Sequence, residues 1–273
     1  MNNIITNSAA AKFNECHQLY NLSMEMNIHP VKREENDGMS VGSALHAALA
    51  FNTPIKVHDD KTAKLAGVLQ AYEAHYGADG GYPLALIEQG FKILMHKNEG
   101  WALCGVADKV CADRVVDHKF YAQQNQYLHD RFAVNSQRVY LSAFDKDVFE
   151  YDIVIKPSIR LKKNQSLAEY QIECCEKMLG DRSKHFTRVE LYFDAQQIDE
   201  MFQWYSLIID AIERNRETKI WRKNYSACVG QYSRCAYYAY CHHYNGKHDL
   251  ALQNGYVIDE ARTHEELKRA KVI

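Results

Sequence analysis

Two aspartates and a lysine in the stretch 101–121 are the residues of this chain best suited to chemistry. The stretch has the pattern of two short strands, and the polar pair at residues 112–113 is typical of the tight turn between them. Side chains alternate between the two faces of a strand. The register of this hairpin therefore predicts that Asp108 and Asp117 lie directly opposite each other, with Lys119 two residues further along the same face.

Opposed carboxylates on neighbouring strands predict a bound cation, because like charges directly across a strand pair are destabilising. Mg²⁺ prefers carboxylate oxygens and keeps several water ligands. Such a metal lowers the pKa of a bound water and stabilises charge on a phosphoryl oxygen. A lysine beside it, here Lys119, can hold that water or meet developing negative charge. The chemistry that these groups suit is phosphodiester hydrolysis. The alternative is a solvated hairpin with three ordinary surface charges.

Composition indicates a soluble globular protein, with 273 residues, 47% hydrophobic and 25% charged. The net charge of −2 provides no overall basic field. Any nucleic-acid contact would then use a local patch, such as Arg160, Lys162 and Lys163 or the stretch from Arg214 to Lys223. We find neither a signal-peptide pattern nor an apolar run long enough to cross a bilayer, so we expect a cytoplasmic protein without membrane contact.

Three cysteines near the C-terminus, Cys228, Cys235 and Cys241, fall within 14 residues. In a reducing compartment, cysteines predict thiols or a metal centre rather than a disulfide framework. Zinc ions and iron–sulfur clusters both need several converging thiolates. The candidates for a fourth ligand are Cys16, His242 and His243. A histidine would favour zinc and Cys16 would favour a cluster. Three independent thiols are the alternative.

Hydrophobic periodicity predicts helices mixed with a hairpin-rich sheet, which is typical of an α/β or α+β domain. The predicted helices cover residues 6–20, 40–51, 60–76, 130–144, 166–179 and 195–216. The predicted strands outside the hairpin cover residues 84–95, 151–155 and 188–193. His46 lies on the second helix, where a core position is the usual role of a lone histidine, although a neutral imidazole can bind a metal. Glu88 lies inside a predicted strand and is either a salt-bridge partner or part of the site.

The order of these motifs along the chain resembles that of the RecB-like nucleases of the PD-(D/E)XK superfamily, in particular their iron–sulfur branch. That branch includes AddB-like, CRISPR-associated and phage exonucleases. The matching motifs are Gly42–His46 (Gly-x-x-x-His), Gly105–Asp108 (Gly-x-x-Asp), Asp117–Lys119 (Asp/Glu-x-Lys), Gln137 with Tyr140, and the cysteines. The resemblance implies a restriction-endonuclease-like α/β core with a central mixed sheet flanked by helices. It also implies a single nuclease domain over residues 1–273, with a catalytic core at about 40–194.

The resemblance further implies a role for each matched residue. The implied ligands of one or two Mg²⁺ or Mn²⁺ ions are His46, Asp108, Asp117 and the backbone carbonyl of His118. The implied catalytic residues are Asp108, Asp117, Lys119, Glu88, Gln137 and Tyr140. The implied ligands of a 4Fe-4S cluster, with Zn²⁺ as the alternative, are Cys16, Cys228, Cys235 and Cys241. This cluster would join the N-terminal helix, residues 6–22, to the C-terminal segment, residues 195–245.

The implied function is that of a metal-dependent deoxyribonuclease, most simply an exonuclease that acts on single strands or duplex ends of DNA. A recombination or replication protein is a candidate partner. Two alternatives stay open. One is a zinc- or cluster-stabilised DNA-binding or assembly subunit without catalysis. The other is a restriction-type endonuclease, which would share the acids and the lysine but would not need the cysteines or His46.

Overall fold

A mixed β-sheet flanked by helices is the main feature of this protein, which we describe from a computed structural model. The structure describes residues 3–31, 44–50, 53–77, 79–123, 134, 136–230 and 234–272. The chain divides into two compact units. The first comprises Met1–Glu34, Gly90–Gly105 and Gln196–Ile273, and the second comprises Glu35–Gln89 and Val106–Ala195. The single nuclease domain with a cysteine-rich lobe stays a prediction.

The strands of the described residues are β1 Asn3–Ile5, β2 Ile28–Pro30, β3 Leu86–Leu94, β4 Trp101–Val110, β5 Arg114–Tyr121, β6 Val148–Ile155, β7 Phe186–Tyr192 and β8 Tyr256–Ile258. The helices are α1 Asn7–Glu15, α2 His17–Tyr20, α3 at residues 44–50, α4 Asp60–Tyr76, α5 Tyr140–Phe144, α6 Leu167–Gly180, α7 Arg182–His185, α8 Ala195–Thr218, α9 Tyr238–His242, α10 His248–Gln253 and α11 Glu265–Arg269. No helix within these described ranges has the length and apolarity needed to span a membrane.

The large sheet has the strand order β1-β4-β5-β6-β7, and β3 also pairs with β4. Its pairs are mixed, because β1/β4 and β5/β6 are parallel whereas β4/β5 and β6/β7 are antiparallel. In the hairpin, Lys109 pairs with Val116 and Val110 pairs with Val115. The amide of Cys111 donates to the carbonyl of Arg114 at 2.8 Å. The predicted turn and register are therefore confirmed.

Strand β6 begins three residues earlier than its predicted start at residue 151. All eight of its residues are buried, and it pairs with β5 on one side and β7 on the other. Two of these buried residues, Glu150 and Asp152, are acidic. An acidic residue interrupts the apolar pattern that marks a buried strand, so the sequence pattern predicted only part of it.

Helices α4 and α6 pack against each other within the second unit. Gly67 lies at their contact, where an added Cβ would come within 2.4 Å of the carbonyl oxygen of Gln171 and 2.8 Å of Cys174 Cβ. Each helix begins with a reciprocal capping box, formed at Asp59 for α4 and at Ser166 for α6. Such caps satisfy backbone amides that the first helical turn leaves without partners.

The predicted helix 6–20 is wrong in one respect, because it breaks at Cys16. Thr6 is the N-cap of α1, and its hydroxyl oxygen accepts from the amide of Ala9 at 3.1 Å. Cys16 then takes an extended conformation, with φ −164° and ψ 122°, before α2 begins. The break has a tertiary cause, since the amide of Gln18 donates to the carbonyl of Arg222 at 3.1 Å.

Of the predicted helix 130–144, the described residues are α-helical only over Tyr140–Phe144. A 3₁₀ turn at Ser136–Val139 leads into α5, which ends at Asp145 in a left-handed conformation. The predicted residues before 134 lie outside the described chain. In the first unit, β2 pairs with β8 to form a small second sheet that the sequence did not predict. An apolar cluster in this unit comprises Leu22, Ile28, Tyr237, Tyr240, Ala251 and Tyr256.

Candidate functional site

Asp108 and Asp117 lie just beyond the observed pairing of Lys109 with Val116, on β4 and β5 respectively. The charges of both acids act on His46 and on Lys119, so both acids lie near these two residues. The Oδ2 atom of Asp108 accepts the backbone N–H of His118 at 2.7 Å. The side chain of one strand therefore binds the backbone of the other. This contact holds the Asp108 carboxylate at the start of the Asp117-His118-Lys119 segment.

His46 reaches this carboxylate from α3, with its Nδ1 atom 3.3 Å from Oδ2 of Asp108. The imidazole also packs edge-on against Phe120, with ring centroids 5.2 Å apart. Burial lowers the pKa of His46, but the hydrogen bond and charge of Asp108 outweigh burial and raise it. Burial likewise opposes ionisation of Asp108, and the contact with His46 overcomes it and lowers the pKa of Asp108 to about 2. The rest of the predicted motif, residues 42 and 43, lies outside the described residues.

Asp117 has a separate set of partners. Lys119 forms an ion pair with its Oδ2 atom. The Gln137 side-chain amide donates to its Oδ1 atom at 2.9 Å, and the hydroxyl of Tyr151 donates to the Gln137 oxygen at 3.3 Å. Burial lowers the pKa of Lys119, but the charge and hydrogen bond of Asp117 and the charge of Asp108 together raise it above its ordinary value. The predicted lysine and glutamine therefore both contact the predicted second acid.

The two remaining predicted site residues lie on α5 and β3. Tyr140 is buried on α5, where its ring centroid is 6.3 Å from that of Phe149. Glu88 is partly exposed on β3, and its φ of 48° is in the left-handed region that non-glycine residues rarely adopt. Their catalytic roles stay predictions.

The donor types of this site fit a hard divalent cation. Two carboxylates, an imidazole and a backbone carbonyl are mainly oxygen ligands, which Mg²⁺ and Mn²⁺ prefer. Both carboxylates are mostly desolvated, with side-chain exposures of 23% for Asp108 and 12% for Asp117. In the described parts of the chain, however, no three His, Cys, Asp or Glu side chains are grouped closely enough to enclose a metal ion. The fit therefore rests on the types of donor.

The four predicted cluster cysteines all belong to the first unit, but within the described residues no three of them are grouped closely enough to enclose a metal ion. Burial raises the pKa of the Cys241 thiol to about 11, and Cys16, Cys235 and Cys228 raise it further through their charges. All eight cysteines of the chain fall within described ranges, and all are free thiols. At the break in the N-terminal helix, the Cys16 thiol donates to the carbonyl of Arg222 at 3.8 Å.

Backbone amides already donate to two of these sulfur atoms. The amide of Asn224 donates to Cys16 Sγ at 3.3 Å, and that of Tyr237 donates to Cys235 Sγ at 3.5 Å. Cys228 Sγ also lies 3.4 Å from Nε2 of His242. Hydrogen bonds to sulfur are typical around thiolate ligands of iron–sulfur clusters.

The predicted basic patches consist largely of ordinary surface charges. Lys162 is paired with Glu173 at 2.8 Å. Arg216, inside the second patch, is paired with Glu25 and Glu213, each at 2.8 Å. Arg160 and Lys163 are exposed. These patches therefore do not by themselves define a nucleic-acid interface.

The chain aligns with the crystal structure of a candidate exonuclease from Eubacterium rectale. The TM-score is 0.51 over 86% of this chain and 92% of that protein, at 9% sequence identity. This chain shares that protein's fold. An alkaline exonuclease from Laribacter hongkongensis aligns with a TM-score of 0.34 at 9% identity, over 79% of this chain and 91% of that one. A phage-related exonuclease from Haemophilus somnus 129PT aligns with a TM-score of 0.36 at 15% identity, over 80% and 97%.

No protein-family profile and no curated protein matches the sequence. The comparisons therefore concern the fold alone, and the individual residues must be judged by their contacts.

Sequence reasoning missed a buried polar network on the opposite face of the sheet from Asp117. Its members are Tyr72, Tyr82, Glu150, Asp152 and Arg188. The signal was present in β6, where Glu150 and Asp152 alternate with apolar residues. Buried charges need partners, so two acids in a buried strand indicate a network that other elements must complete.

Proposed function

We propose that this protein is a metal-dependent DNA nuclease that hydrolyses phosphodiester bonds, most simply as an exonuclease on single strands or duplex ends. The observation that carries the proposal is the meeting of four predicted residues at one strand pair. His46 contacts Asp108, Lys119 contacts Asp117, and the charges of both acids act on both His46 and Lys119. The fold shared with the Eubacterium rectale protein, which is described as an exonuclease, supports the same assignment.

In this proposal, one or two Mg²⁺ or Mn²⁺ ions are held by His46, Asp108, Asp117 and the backbone carbonyl of His118. A divalent cation at such a site polarises a phosphoryl oxygen and lowers the pKa of a bound water. The backbone amide of His118 keeps the Asp108 carboxylate in place. His46 then approaches the same carboxylate from a different element of the fold.

Lys119 would orient the attacking water or meet the negative charge that develops on the phosphate. Its contact with Asp117 keeps the ammonium group beside the carboxylates. Gln137 would act through Asp117, because its amide fixes one carboxylate oxygen at 2.9 Å. For Glu88 and Tyr140 we propose supporting roles toward the metal, water or DNA.

We also propose that Cys16, Cys228, Cys235 and Cys241 bind a 4Fe-4S cluster, as in the iron–sulfur branch of the RecB-like nucleases. The mutual electrostatic influence of these thiols and the amide donors to two sulfurs support this ligand set. The cluster would be structural, since a link between Cys16 and the C-terminal cysteines closes a very long loop. Zinc is the second candidate, and the 3.4 Å contact of His242 with Cys228 favours it.

The proposed substrate is DNA, the proposed compartment is the cytoplasm, and a recombination or replication protein is the proposed partner. A non-catalytic DNA-binding subunit would bind DNA without cleaving it. A restriction-type endonuclease would cut closed circular DNA. Cleavage restricted to linear molecules would support the exonuclease over both.

The test is incubation of end-labelled single-stranded and duplex DNA with Mg²⁺ or Mn²⁺. We expect Lys119→Ala to lower the cleavage rate by about 10²–10³-fold, the usual effect of removing one group that stabilises transition-state charge. Lys177→Ala, an exposed lysine on α6, is the matched control and should cleave like the wild type. Undiminished cleavage by Lys119→Ala would refute the proposed role of this lysine.

Cluster binding has its own test, made on anaerobically purified protein. We expect absorbance near 400 nm with about four iron atoms per chain, as for a Cys₄ cubane cluster. Cys235→Ser should lose both, whereas Cys111→Ser, a cysteine in the second unit, should keep both. Colourless protein with stoichiometric zinc would instead support the zinc site.

A further inference from the structure

The side chain of His118 lies on the face of β5 opposite Asp117, with its ring centroid 6.3 Å from that of His46, and it contacts a buried acid. In the pairing of β5 with β6, His118 lies opposite Asp152, whereas Asp117 lies opposite Tyr151. Nδ1 of His118 is 3.4 Å from Oδ2 of Asp152. The two side chains are 2% and 0% exposed, respectively. This pair therefore lies on the sheet face opposite Asp117, away from solvent.

Several elements of the second unit hold Asp152 in place. The hydroxyl of Tyr72, on α4, donates to Oδ2 of Asp152. The hydroxyl of Tyr82 donates to the same oxygen at 3.2 Å, and Arg188, on β7, lies 3.4 Å from it. The Asp152 carboxylate is thus fixed from a helix, a loop and a neighbouring strand. It can act as a rigid support for the imidazole of His118.

The backbone amide and carbonyl of His118 both belong to the candidate site. Its N–H holds the Asp108 carboxylate at 2.7 Å. Its carbonyl is one of the ligands proposed above, and its sequence neighbours are Asp117 and Lys119. A tilt of the His118 peptide units would therefore move the amide donor, the carbonyl and both neighbouring side chains together.

We propose that Asp152 is a positioning residue: it holds the imidazole of His118 and so orients the β5 backbone that presents the candidate metal ligands. This inference rests on the proposed function for its metal-binding consequence. The structural part of the inference, which is the restraint of the His118 peptide, does not depend on the proposed function. Groups that orient metal ligands typically change metal affinity by about 10–100-fold when they are mutated.

Glu150 provides a matched control on the same face of the same strand. It is 2% exposed and, like Asp152, it contacts a tyrosine hydroxyl and Arg188. In the register of β5 with β6 it lies opposite Val116 rather than His118. A general loss of stability from disturbing the buried network should therefore appear in both variants, whereas a loss of positioning should appear only for Asp152.

The experiment compares Asp152→Asn with Glu150→Gln in the full chain, at a temperature where both variants are folded. Mn²⁺ binding is measured by calorimetry and by the electron paramagnetic resonance of free Mn²⁺. We expect Asp152→Asn to weaken Mn²⁺ binding by about 10–100-fold and Glu150→Gln to leave it unchanged. If Asp152→Asn does not fold, Tyr72→Phe replaces it, because this variant removes one donor to Asp152 but keeps the ring. We then expect a smaller weakening of Mn²⁺ binding.

A second measurement needs no metal. Hydrogen exchange of the His118 amide should be faster in Asp152→Asn than in the wild type, and unchanged in Glu150→Gln. Equal effects of the two variants on Mn²⁺ affinity and on this amide would overturn the inference. If Asp108→Asn leaves Mn²⁺ binding unchanged, the proposed metal site fails, and the exchange rate alone then decides whether Asp152 restrains His118.

Discussion

Replacing Arg188 by methionine is the sharpest test of the buried network described above. The guanidinium of Arg188 lies between two tyrosine rings, 3.8 Å from the centroid of Tyr76 and 4.1 Å from that of Tyr82. It is also 3.4 Å from Asp152 and 3.8 Å from Glu150, both almost fully buried. Methionine keeps much of the contact with the rings but removes the charge. Arg188→Met therefore isolates the electrostatic part of the network.

The expected loss follows from the burial of the two acids. Removing one partner of a buried ion pair usually costs about 3–5 kcal/mol, because the other charge stays desolvated without compensation. Arg114 still contacts Glu150 at 2.6 Å, and two tyrosine hydroxyls still donate to Asp152. We therefore expect a loss near the lower limit, about 3 kcal/mol of unfolding free energy.

Urea denaturation followed by tryptophan fluorescence and circular dichroism measures this loss. Its pH dependence supplies a second check. The pKa of Asp152 is lowered in the folded protein, where His118, Arg188 and Tyr72 outweigh burial. A carboxylate whose pKa is lower in the folded than in the unfolded state stabilises the protein at a pH above the unfolded pKa. This stabilisation is lost as the pH falls through the folded pKa. The deficit of Arg188→Met should therefore be fully present near pH 7 and shrink as the pH falls below about 4, the ordinary pKa of aspartate.

The matched control is Arg182→Met, an exposed arginine on α7. Exposed ion pairs contribute only about 0–1 kcal/mol, so this variant should unfold nearly like the wild type. A loss below about 1 kcal/mol for Arg188→Met, or a deficit that does not depend on pH, would refute the account of the network as compensation for buried charge.

Two further variants test the candidate site and the loop that contacts the network. Gln137→Leu should lower the rate of DNA cleavage while keeping the fold, because it removes the amide that fixes Asp117. Cleavage assays and circular dichroism check the two parts of this prediction. Unchanged cleavage would contradict it. Gly80→Ala should destabilise the protein by about 1–3 kcal/mol, since φ is +65° and the new Cβ would lie 2.6 Å from the hydroxyl of Tyr72. Gly77→Ala is its control, with a positive φ of 91° but nothing within 4 Å, and it should cost less in thermal unfolding. Equal losses would show that the contact with Tyr72 contributes nothing.

Predictions from sequence were most successful where the determining interactions are local. Helix α4 was predicted over its full length, residues 60–76, from apolar spacing alone. The hairpin register followed from a two-residue turn and the alternation of side chains. The predictions were least successful where contacts with a distant segment of the chain change the local structure. Cys16 breaks a helix that local spacing predicted to continue, and the contacts around the break come from residues 222–224.

The candidate site shows the same division. That Asp108 and Asp117 lie near the same hairpin contact was predictable, because alternation along paired strands requires only local geometry. The contact of His46 with Asp108 was expected from a resemblance and not from the residues, since nothing local joins α3 to β4. The donation of the His118 amide to Asp108 could not be predicted, because it depends on how the two strands separate beyond their last paired residues.

The sequence by itself determined which groups are candidates for chemistry here: two acids and a lysine in one hairpin, together with a set of cysteines that are closely spaced in the sequence. Only the tertiary structure decided which residues support them, including the burial of Asp152 behind His118. The physical reason is that strand alternation and turn geometry act over a few residues, whereas burial and charge compensation arise only when segments far apart in the chain pack together.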